Sequence, residues 1–364
     1  MRSSDVIIIG AGVIGLSLAL ELQRRGVSAL VVERGEPGRE ASQAAGGMIA
    51  DHDPHLPSEL KRLASLSASL YPEFVHGLRD ESGLTIDLRE EGTIAFLEGS
   101  IAGGLEPGVR PLSPAQVSEL EPALEATHDH AYFFPERCVD PRHLVAALVK
   151  TAHHRSLDLV TGSMVQEVTC EHGRATGVRT SRAVYHSATV VNCAGAWAPQ
   201  IAPLAIPTRP VKGHMLSLVF PDHPAGTAAQ SAAPLVRHVV RSRWCYLVPR
   251  SDGRIVVGST VEPAGFDKTV NTYRVQRLHQ AAANLVPQLG EARMNEAWTG
   301  LRPGSPDNLP VIGETSIPGY FACTGHYRDG ILLAPATAKL VADCLVSGSL
   351  PELLSPFQPA RFGI

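Results

Sequence analysis

The stretch Asp5–Glu33 reads DVIIIGAGVIGLSLALELQRRGVSALVVE, and it decides the fold. Its first part, Val6–Ile9, is a short apolar run of β-branched residues, which is typical of a buried parallel strand. Glycines then follow in G-x-G-x-x-G spacing. This spacing predicts that Gly10 makes a tight turn, that Gly12 lets a pyrophosphate approach the backbone, and that Gly15 lets a helix pack closely. The stretch therefore predicts a dinucleotide-binding βαβ unit.

The same unit continues into a helix and a second strand. The helix is predicted to begin near Gly15 and to end at Gly26, and the strand Ala29–Val32 follows. Glu33 ends that strand, where a carboxylate can accept hydrogen bonds from both ribose hydroxyls, which argues against NADP. Two alternatives are a solvated strand end at Glu33 and a signal anchor at the N-terminus. Glycines and charged residues interrupt the apolar run, which argues against an anchor.

Composition excludes several classes of protein. The chain has 364 residues, 44% of them hydrophobic, and a formal net charge of −4, which predicts about two domains and no nucleic-acid-binding surface. It contains no uninterrupted apolar stretch of about 18 residues, so we expect no membrane span. The six cysteines lie far apart without a C-x-x-C pair, which favours a reducing compartment, the cytoplasm, over a disulfide framework or a zinc site.

Beyond the first unit, the patterns predict alternating helices and strands. The predicted helices are Leu60–Leu78 ending near Gly77, a short one from Ser113-Pro114, one from Asp140-Pro141 to about His154, Tyr273–Leu289 and Gly330–Val346. The predicted strands are a pair over Ile86–Leu97, hairpins over Leu157–Thr180 and on to Cys193, Pro210–Phe220, and a hairpin over Tyr246–Thr260 that turns at Ser251-Asp252-Gly253. The strand in Ala188–Trp197 is predicted to return to the first domain. We find no internal repeat.

Two C-terminal segments each hold an arginine between glycines. One contains Gly300-Leu301-Arg302-Pro303-Gly304, and the other runs Gly325-His326-Tyr327-Arg328-Asp329-Gly330. Both are predicted to be turns that hold a guanidinium rigidly, and its fork matches a carboxylate in bidentate fashion. The second segment opens a helix at Gly330, whose free N–H groups and positive dipole end suit an anionic oxygen.

These motifs resemble the D-amino acid oxidase family of flavoprotein amine oxidases and, within it, the glycine oxidases of the thiamine pathway. The stretches that carry the resemblance are the N-terminal βαβ unit, Ser42–Ile49, Cys245–Arg250, Trp298–Gly304 and Gly325–Thr337. The resemblance implies an α/β fold in which a discontinuous, Rossmann-like FAD-binding domain is interleaved with a mostly antiparallel β substrate domain. The implied boundaries are residues 1–85, 140–206 and 296–364 for the first and residues 86–139 and 207–295 for the second.

The resemblance implies FAD as the cofactor, bound without a covalent link. Relatives with a covalent flavin carry a cysteine near the GLRPG motif, and this chain has none there. The implied cofactor-binding residues are Gly10, Gly12, Val13, Ile14, Gly15, Glu33, Arg34, Ser42, Ala45, Gly46, Gly47, Met48, Val165, Ala194, Gly195, Gly300, Gly325, His326, Arg328, Asp329, Gly330, Ile331 and Leu332. No metal is expected, because the cluster Asp51–His55 lies in a loop with no further ligand group identifiable.

The resemblance also implies the residues that bind the substrate. It implies that Arg302 grips the substrate carboxylate, that Tyr246 donates a second hydrogen bond, and that Arg328 lies beside the amine. Trp244 is expected to shape the pocket, and His326 is expected to pack or hydrogen-bond rather than to transfer protons.

Each of these residues also has an ordinary structural interpretation. Arg302 can be a surface arginine that pairs with Asp307, and Arg328 can pair with Asp329. Tyr246 can be an ordinary strand aromatic.

The implied reaction is oxidation of a small amino acid or amine, with glycine, sarcosine and small D-amino acids as candidates. A hydride passes from Cα to flavin N5, the imine hydrolyses to an oxoacid and ammonia or an amine, and dioxygen becomes hydrogen peroxide. One alternative is a dehydrogenase that passes electrons to a quinone or a partner protein, and another is a flavin-binding scaffold without activity. A homo-oligomer is also a possibility that the resemblance raises.

Overall fold

The computed structural model describes residues 4–101, 104–125, 130–220 and 234–364. The α-helices of these residues are α1 (Val13–Arg24), α2 (Ala41–Ala44), α3 (Ser58–Ser82), α4 (Pro114–Leu120), α5 (Pro141–His154), α6 (Thr272–Leu285) and α7 (Gly330–Ser347). Their strands are β1 (Val6–Ile9), β2 (Ala29–Val32), β3 (Met48–Ile49), β4 (Leu88–Arg89), β5 (Thr93–Leu97), β6 (Arg110–Leu112), β7 (His130–Phe134), β8 (Arg137–Val139), β9 (Asp158–Val160), β10 (Val165–Glu171), β11 (Arg174–Thr180), β12 (Val184–His186), β13 (Val190–Asn192), β14 (Arg209–Val219), β15 (Val239–Arg241), β16 (Tyr246–Pro249), β17 (Ile255–Gly258), β18 (Arg293–Gly304), β19 (Val311–Glu314) and β20 (Tyr320–Thr324).

The first layer is a six-stranded sheet centred on the N-terminal βαβ unit. Its order is β19-β20-β13-β1-β2-β9, and β1 lies parallel to both β2 and β13. All four residues of β1 and of β2 are buried, as continuous apolar strands of a covered parallel sheet require. The predicted return of the chain to this sheet at β13 is confirmed. α1 and α3 each pack against α7, and the three helices share one core cluster on this layer.

The second layer is an eight-stranded sheet in the order β18-β14-β17-β16-β15-β5-β7-β6. Its pairs are antiparallel except for β5 with β15, and its longest pairing joins β14 to β18 from Arg209↔Gly304 to Val219↔Arg293. α6 covers this sheet through buried residues such as Val275 and Leu278. The α/β fold class, with a parallel sheet and a mostly antiparallel second sheet, is therefore confirmed. The predicted hairpin at Ser251-Asp252-Gly253 joins β16 and β17.

Several local predictions are wrong because neighbouring strands pair with distant partners. The region predicted as one strand pair, Ile86–Leu97, divides between sheets: β4 pairs with β8, and β5 pairs with β7 and β15. β9 is not part of a hairpin, since it adds to the first sheet in parallel beside β2. Alternation of apolar residues indicates a strand but does not identify its partner.

Two predicted ends of elements are also wrong. α3 passes through Gly77 and ends at Ser82, and Gly83 follows with a left-handed φ of 65°. A glycine inside a helix costs only about 1 kcal/mol, which the buried face of α3 outweighs. The segment from Trp298 to Gly304, predicted to be a turn, is instead the end of the long strand β18. Its glycine content reflects close packing, because a Cβ at Gly300 would lie 2.6 Å from the Cβ of Ala44.

β18 also crosses one of the predicted domain boundaries. The resemblance places residues 296–304 in the first domain, yet they lie in the second sheet, paired with β14. The remaining boundaries fall outside the strands of both large sheets. The division into two domains stays a prediction.

α7 has the length and hydropathy of a membrane-spanning helix, and it is the single helix of the described residues with both properties. It packs against α1 and α3, and Leu333, Ala334 and Ala336 on it are fully buried. Such burial against other helices is also typical of a helix in the core of a globular protein.

Candidate active site

A cavity of about 930 Å³ lies where the carboxyl ends of the parallel strands face the second sheet. The first sheet contributes the ends of β1, β2 and β13, at Gly10, Glu33 and Cys193. The second sheet contributes Tyr246 and Arg302. Ligands of open α/β sheets bind at this edge, so the cavity is the candidate active site.

Backbone contacts explain the glycine triplet at one end of the cavity. Gly10 has a φ of 101°, and a Cβ there would lie 2.7 Å from the carbonyl oxygen of Cys193. A Cβ at Gly15 would overlap the carbonyl oxygen of Gly10, so helix and strand touch at this point. Gly12 differs, because a Cβ there would meet only Ser42 Oγ, at 3.3 Å, and Gly12 faces the cavity.

Side chains complete this end of the cavity. Glu33 is buried, and its carboxylate accepts hydrogen bonds from the backbone N–H groups of Ala11 and Gly35, each at 2.8 Å. It is therefore a fixed wall of the cavity rather than a solvated strand end. Ser42 Oγ accepts a hydrogen bond from the N–H of Val13 at 3.0 Å. The guanidinium of Arg34 lies 3.6 Å from the centre of the Trp197 ring, which also lines the cavity.

The N-terminus of α7 points into the middle of the cavity. Asp329, Gly330 and Ile331 line the cavity, and Asp329 forms no side-chain capping bond to the helix. The first N–H groups of a helix have no partner within it, so this end can accept a negatively charged oxygen. Burial raises the pKa of Asp329 to about 7, whereas it lowers the pKa of the neighbouring His326 to about 3.

These features fit FAD. The cavity includes a glycine-lined strand end, where a side chain at Gly12 would fill the space that a pyrophosphate needs. It continues to an uncapped helix N-terminus at Gly330, which suits an anionic ring. The residues that would hold the two halves of the cofactor thus come from β1, β2 and α7.

Most residues predicted to bind the cofactor line this cavity. Those that line it are Gly10, Gly12, Val13, Ile14, Glu33, Arg34, Ser42, Ala45, Gly46, Gly47, Met48, Val165, Ala194, Gly195, Gly300, His326, Arg328, Asp329, Gly330 and Ile331. Three others do not: Gly15 packs on Gly10, Gly325 turns beside Val311, and Leu332 is buried in the core. The roles of all these residues, the three included, stay predictions.

Arg302 lies at the other end of the cavity, on β18. Its Nη1 donates to the carbonyl oxygen of Thr260 at 3.1 Å, and its Nη2 donates to Ser259 Oγ at 2.6 Å. Burial lowers the pKa of Arg302. No carboxylate among the described residues pairs with the guanidinium to offset this effect. The alternative partner Asp307 instead binds Arg361, at 2.8 Å. The guanidinium is therefore a cation held by neutral groups.

The ring of Tyr246 is clamped beside Arg302. A Cβ at Gly46 would lie 2.9 Å from this ring, and a Cβ at Gly258 would overlap it, so both glycines make room for the aromatic side chain. The hydroxyl of Tyr246 lies 3.2 Å from Met215 Sδ, which is a weak acceptor. The Tyr246 hydroxyl is therefore able to donate a stronger hydrogen bond to a ligand.

Arg328 and Trp244 are the most exposed of the predicted substrate residues. Arg328 lies with its guanidinium 5.2 Å from the centre of the Tyr327 ring, and no ion pair joins it to Asp329 in the described structure. Trp244 is 63% exposed in the turn between β15 and β16, at the mouth of the cavity. Arg243 stacks on its indole with 4.3 Å between the guanidinium carbon and the ring centre.

Sequence reasoning missed the residues that surround Arg302. Ser259 and Thr260 hold its guanidinium, Gly213 makes room for it, and Met215 faces Tyr246. A polar pair directly after the buried strand β17 was the available signal for Ser259 and Thr260. In the predicted loop Asp51–His55, the carboxylate of Asp53 forms an ion pair with Arg241 at 2.7 Å.

Comparisons with known proteins agree with this geometry. Residues 5–344 match the family of FAD-dependent oxidoreductases, the DAO family. The chain is 35% identical over 98% of its length to the bifunctional protein ThiO/ThiG of Trichormus variabilis, and it spans 55%, about half, of that relative. It is also 34% identical to the glycine oxidase of Pseudomonas aeruginosa, with 98% of this chain and 99% of the relative covered.

A solved structure gives the same result. The crystal structure of glycine oxidase from Geobacillus kaustophilus superimposes with a TM-score of 0.89 at 30% identity, covering 99% of each chain. The cofactor of this family is FAD, for which the cavity has the required features. The chain belongs to the DAO family of FAD-dependent oxidoreductases, and it is similar along its whole length to glycine oxidases.

Proposed function

We propose that this enzyme is an oxidase of glycine, sarcosine and small D-amino acids that releases hydrogen peroxide. The observation that carries the proposal is the environment of Arg302, whose guanidinium contacts Ser259 Oγ, the Thr260 carbonyl and Tyr246 but no carboxylate among the described residues. A partly buried cation without a counter-ion favours an anionic ligand, and a guanidinium matches a carboxylate in bidentate fashion. The amino acids named are the small substrates that carry such a group next to an oxidisable amine.

Two side chains orient the substrate. The bound FAD supplies a hydride acceptor. Arg302 on β18 holds the carboxylate, and the hydroxyl of Tyr246 on β16 donates a second hydrogen bond to it. Two fixed contacts to one carboxylate leave little freedom to the Cα that the carboxylate carries, and such orientation lowers the barrier of the reaction.

Cationic side chains also favour the reactive form of the substrate amine. Arg302 and Arg328 both line the cavity, and an ammonium group beside them is disfavoured by repulsion between like charges. The neutral amine, which carries the electron pair needed for hydride loss from Cα, is thereby favoured. This part of the proposal requires no general base from the chain.

The pocket favours short side chains. The ring of Tyr246 is fixed between Gly46 and Gly258, and the carboxylate is fixed by Arg302, so the space for a substrate side chain is bounded on both sides. Trp244 lies at the mouth of the cavity and limits this space further. Handedness follows from the family resemblance, which favours D- over L-amino acids.

The test is an aerobic assay of the purified yellow protein against a panel of small amines, with peroxide and substrate consumption both measured. We expect glycine, sarcosine, D-alanine and D-proline to be oxidised with one peroxide formed per substrate. Substrate oxidation that needs an added quinone and yields no peroxide would replace the oxidase by a dehydrogenase. Preference for D-phenylalanine or an L-amino acid would contradict the substrate class.

We also propose that the enzyme works in the cytoplasm. All six cysteines are free thiols, and four of them, Cys138, Cys193, Cys245 and Cys323, are buried. Such use of cysteine is typical of a reducing compartment. A homo-oligomer stays a prediction, to be checked by light scattering of the purified protein.

A further inference from the structure

A fully buried histidine lies behind the arginine that holds the carboxylate in the proposed function. His214 is on β14, opposite Thr299 of β18, and has no exposed surface. Its Nε2 accepts a hydrogen bond from the backbone N–H of Asn271 at 3.0 Å. Because a backbone N–H can only donate, Nε2 carries no proton, and the proton of the neutral ring is on Nδ1. Burial lowers the pKa of His214, which favours this neutral form.

The Nδ1 side of His214 belongs to a closed ring of hydrogen bonds. Nδ1 lies 3.0 Å from both Glu262 Oε1 and Thr260 Oγ1. Thr260 Oγ1 already accepts the backbone N–H of His214 at 2.9 Å and donates to Glu262 Oε1 at 2.7 Å. A carboxylate can only accept, and the hydroxyl proton of Thr260 already points to Glu262, so the Nδ1–H of His214 donates to Glu262 Oε1 and is shared with Thr260 Oγ1. Each of the three side chains thereby has one fixed orientation.

The backbone and nearby charges hold Glu262 in this ring. Lys212, two residues before His214 on β14, exchanges two backbone hydrogen bonds of 2.9 Å with Glu262. Burial opposes the charged form of Glu262, but the hydrogen bond from Thr260 and the charge of Arg274 outweigh it, so its pKa lies below the ordinary value. Glu262 is therefore an ionised acceptor for both Thr260 and His214.

This ring of hydrogen bonds lies next to the two groups that bind Arg302. The carbonyl of Thr260 accepts Nη1 of Arg302, and the hydroxyl of the preceding Ser259 accepts Nη2. The guanidinium also lies against the backbone of Gly213, where a Cβ would overlap it. Gly213 precedes His214, so β14 both supports the guanidinium and fixes the orientation of the residues that bind it.

We propose that His214 is a positioning residue for the substrate carboxylate, acting through Glu262 and Thr260 on the guanidinium of Arg302. It does not touch the substrate. Its Nδ1–H keeps the carbonyl of Thr260 and the hydroxyl of Ser259 where they hold the guanidinium fork toward the cavity. The proposal rests on the proposed function in one respect, namely that Arg302 binds a carboxylate.

Two substitutions test the roles of Nδ1 and Nε2 of His214 separately. His214→Asn places an amide N–H near the position of Nδ1 and keeps the link to Glu262, but it loses the acceptor for Asn271. His214→Gln places an amide oxygen near the position of Nε2 and keeps the link to Asn271, but it loses the donor to Glu262. Both variants replace the imidazole of His214 by an amide side chain, so each is a control for the buried volume that the other loses.

The readouts are the FAD content, the Kd of glycolate from the change in flavin absorbance, and KM and kcat for glycine. We expect His214→Gln to weaken glycolate binding and to raise the KM for glycine by about tenfold, with kcat changed less than about twofold. We expect His214→Asn to stay within about threefold of the wild type in both quantities. Equal weakening in both variants, or no change in either, would overturn the proposal.

A second variant keeps the test decisive if His214→Gln does not fold. Thr260→Val is isosteric, retains the carbonyl that binds Arg302, and removes the hydroxyl that joins it to His214 and Glu262. It should weaken glycolate binding as His214→Gln does, and unchanged binding would contradict the proposal. Binding of glycolate is measured without turnover. If the wild type binds glycolate but oxidises no amino acid, only the proposed function fails.

Discussion

The two ends of the cavity are built in different ways. The nucleotide end is built mainly on one continuous stretch, Asp5–Glu33, whose glycines touch backbone carbonyls directly, and a few side chains such as Ser42 and Trp197 complete it. The substrate end consists of side chains from β14, β16, β17 and β18, which lie far apart in the sequence and meet only in the second sheet. One end can therefore be recognised locally, whereas the other exists only after the sheet has formed.

This difference predicts different consequences of mutation. At the nucleotide end there is no room for a Cβ where backbones touch, so substitutions there damage the fold itself. At the substrate end the side chains project from a stable sheet into a cavity, so substitutions there change binding and leave the fold intact. The following predictions test that contrast, beginning with the largest effect.

Two glycines of the triplet should have different roles, Gly15 in the fold and Gly12 in binding FAD. Gly15→Ala places a methyl group against the carbonyl of Gly10, and we expect it to lower the free energy of unfolding by roughly 3 kcal/mol or more. A Cβ at Gly12 meets only Ser42 Oγ and faces the cavity, so we expect Gly12→Val to give a folded protein that purifies without FAD. Flavin absorbance and urea denaturation check both variants. A Gly12→Val protein that retains full FAD would contradict the placement of the pyrophosphate.

Tyr246→Phe should affect binding alone. The lost hydroxyl donates to the weak acceptor Met215 Sδ and contacts Arg302, which keeps its bonds to Ser259 and Thr260, so the free energy of unfolding should change by less than about 1 kcal/mol. kcat/KM for glycine should fall about tenfold, which corresponds to the loss of one hydrogen bond of about 1.4 kcal/mol. A variant with wild-type kcat/KM would show that Tyr246 is an ordinary strand aromatic.

The N-terminus of α7 lies where the two ends of the cavity meet, and Asp329 should report on it through pH. Its carboxyl holds a proton up to a pH of about 7, whereas in the unfolded chain it loses it near 4. The native state binds the extra proton in this window, so the contribution of Asp329 to stability falls as pH rises from about 4 to 7. Asp329→Asn should therefore stabilise the protein at pH 8, on the order of 1 kcal/mol, with no gain at pH 4.

Asp307→Asn is the control of opposite sign. Burial by itself raises the pKa of Asp307. The hydrogen bond from Arg361 outweighs this effect and holds the pKa below its ordinary value. Its charge contributes stability at neutral pH that is lost as pH falls through its folded pKa, so this variant should be less stable at pH 8. Urea denaturation at several pH values compares the two. Parallel pH profiles for both variants would refute the assignment of Asp329.

Trp244→Ala should leave stability almost unchanged. The indole is largely exposed at the mouth of the cavity, so its removal should change the free energy of unfolding by less than about 0.5 kcal/mol. If it narrows the pocket, kcat/KM for D-leucine relative to glycine should rise about tenfold. Unchanged relative kcat/KM would show that Trp244 does not bound the substrate.

The contrast between the two ends also explains what the sequence predicted. The parallel strands, the triplet, Glu33 and the starts of α4 and α5 at Ser113-Pro114 and Asp140-Pro141 follow from local patterns, and the structure has them. The place of Arg302 on a strand, rather than in a turn, was missed because its glycines serve contacts with Ala44, far away in sequence. Ser259, Thr260 and His214 were missed for the same reason, since their roles depend on the pairing of β14 with β17 and β18.

The central claim is that Arg302 holds a substrate carboxylate, and Arg302→Lys tests it most directly. Lysine keeps the charge but loses the two-pronged contact. The measurement is kcat/KM for glycine and for propylamine, which lacks a carboxylate, with FAD content as the control. We predict a loss for glycine on the order of 2–4 kcal/mol and much less for propylamine. Equal losses for both substrates would contradict the claim and assign Arg302 to structure.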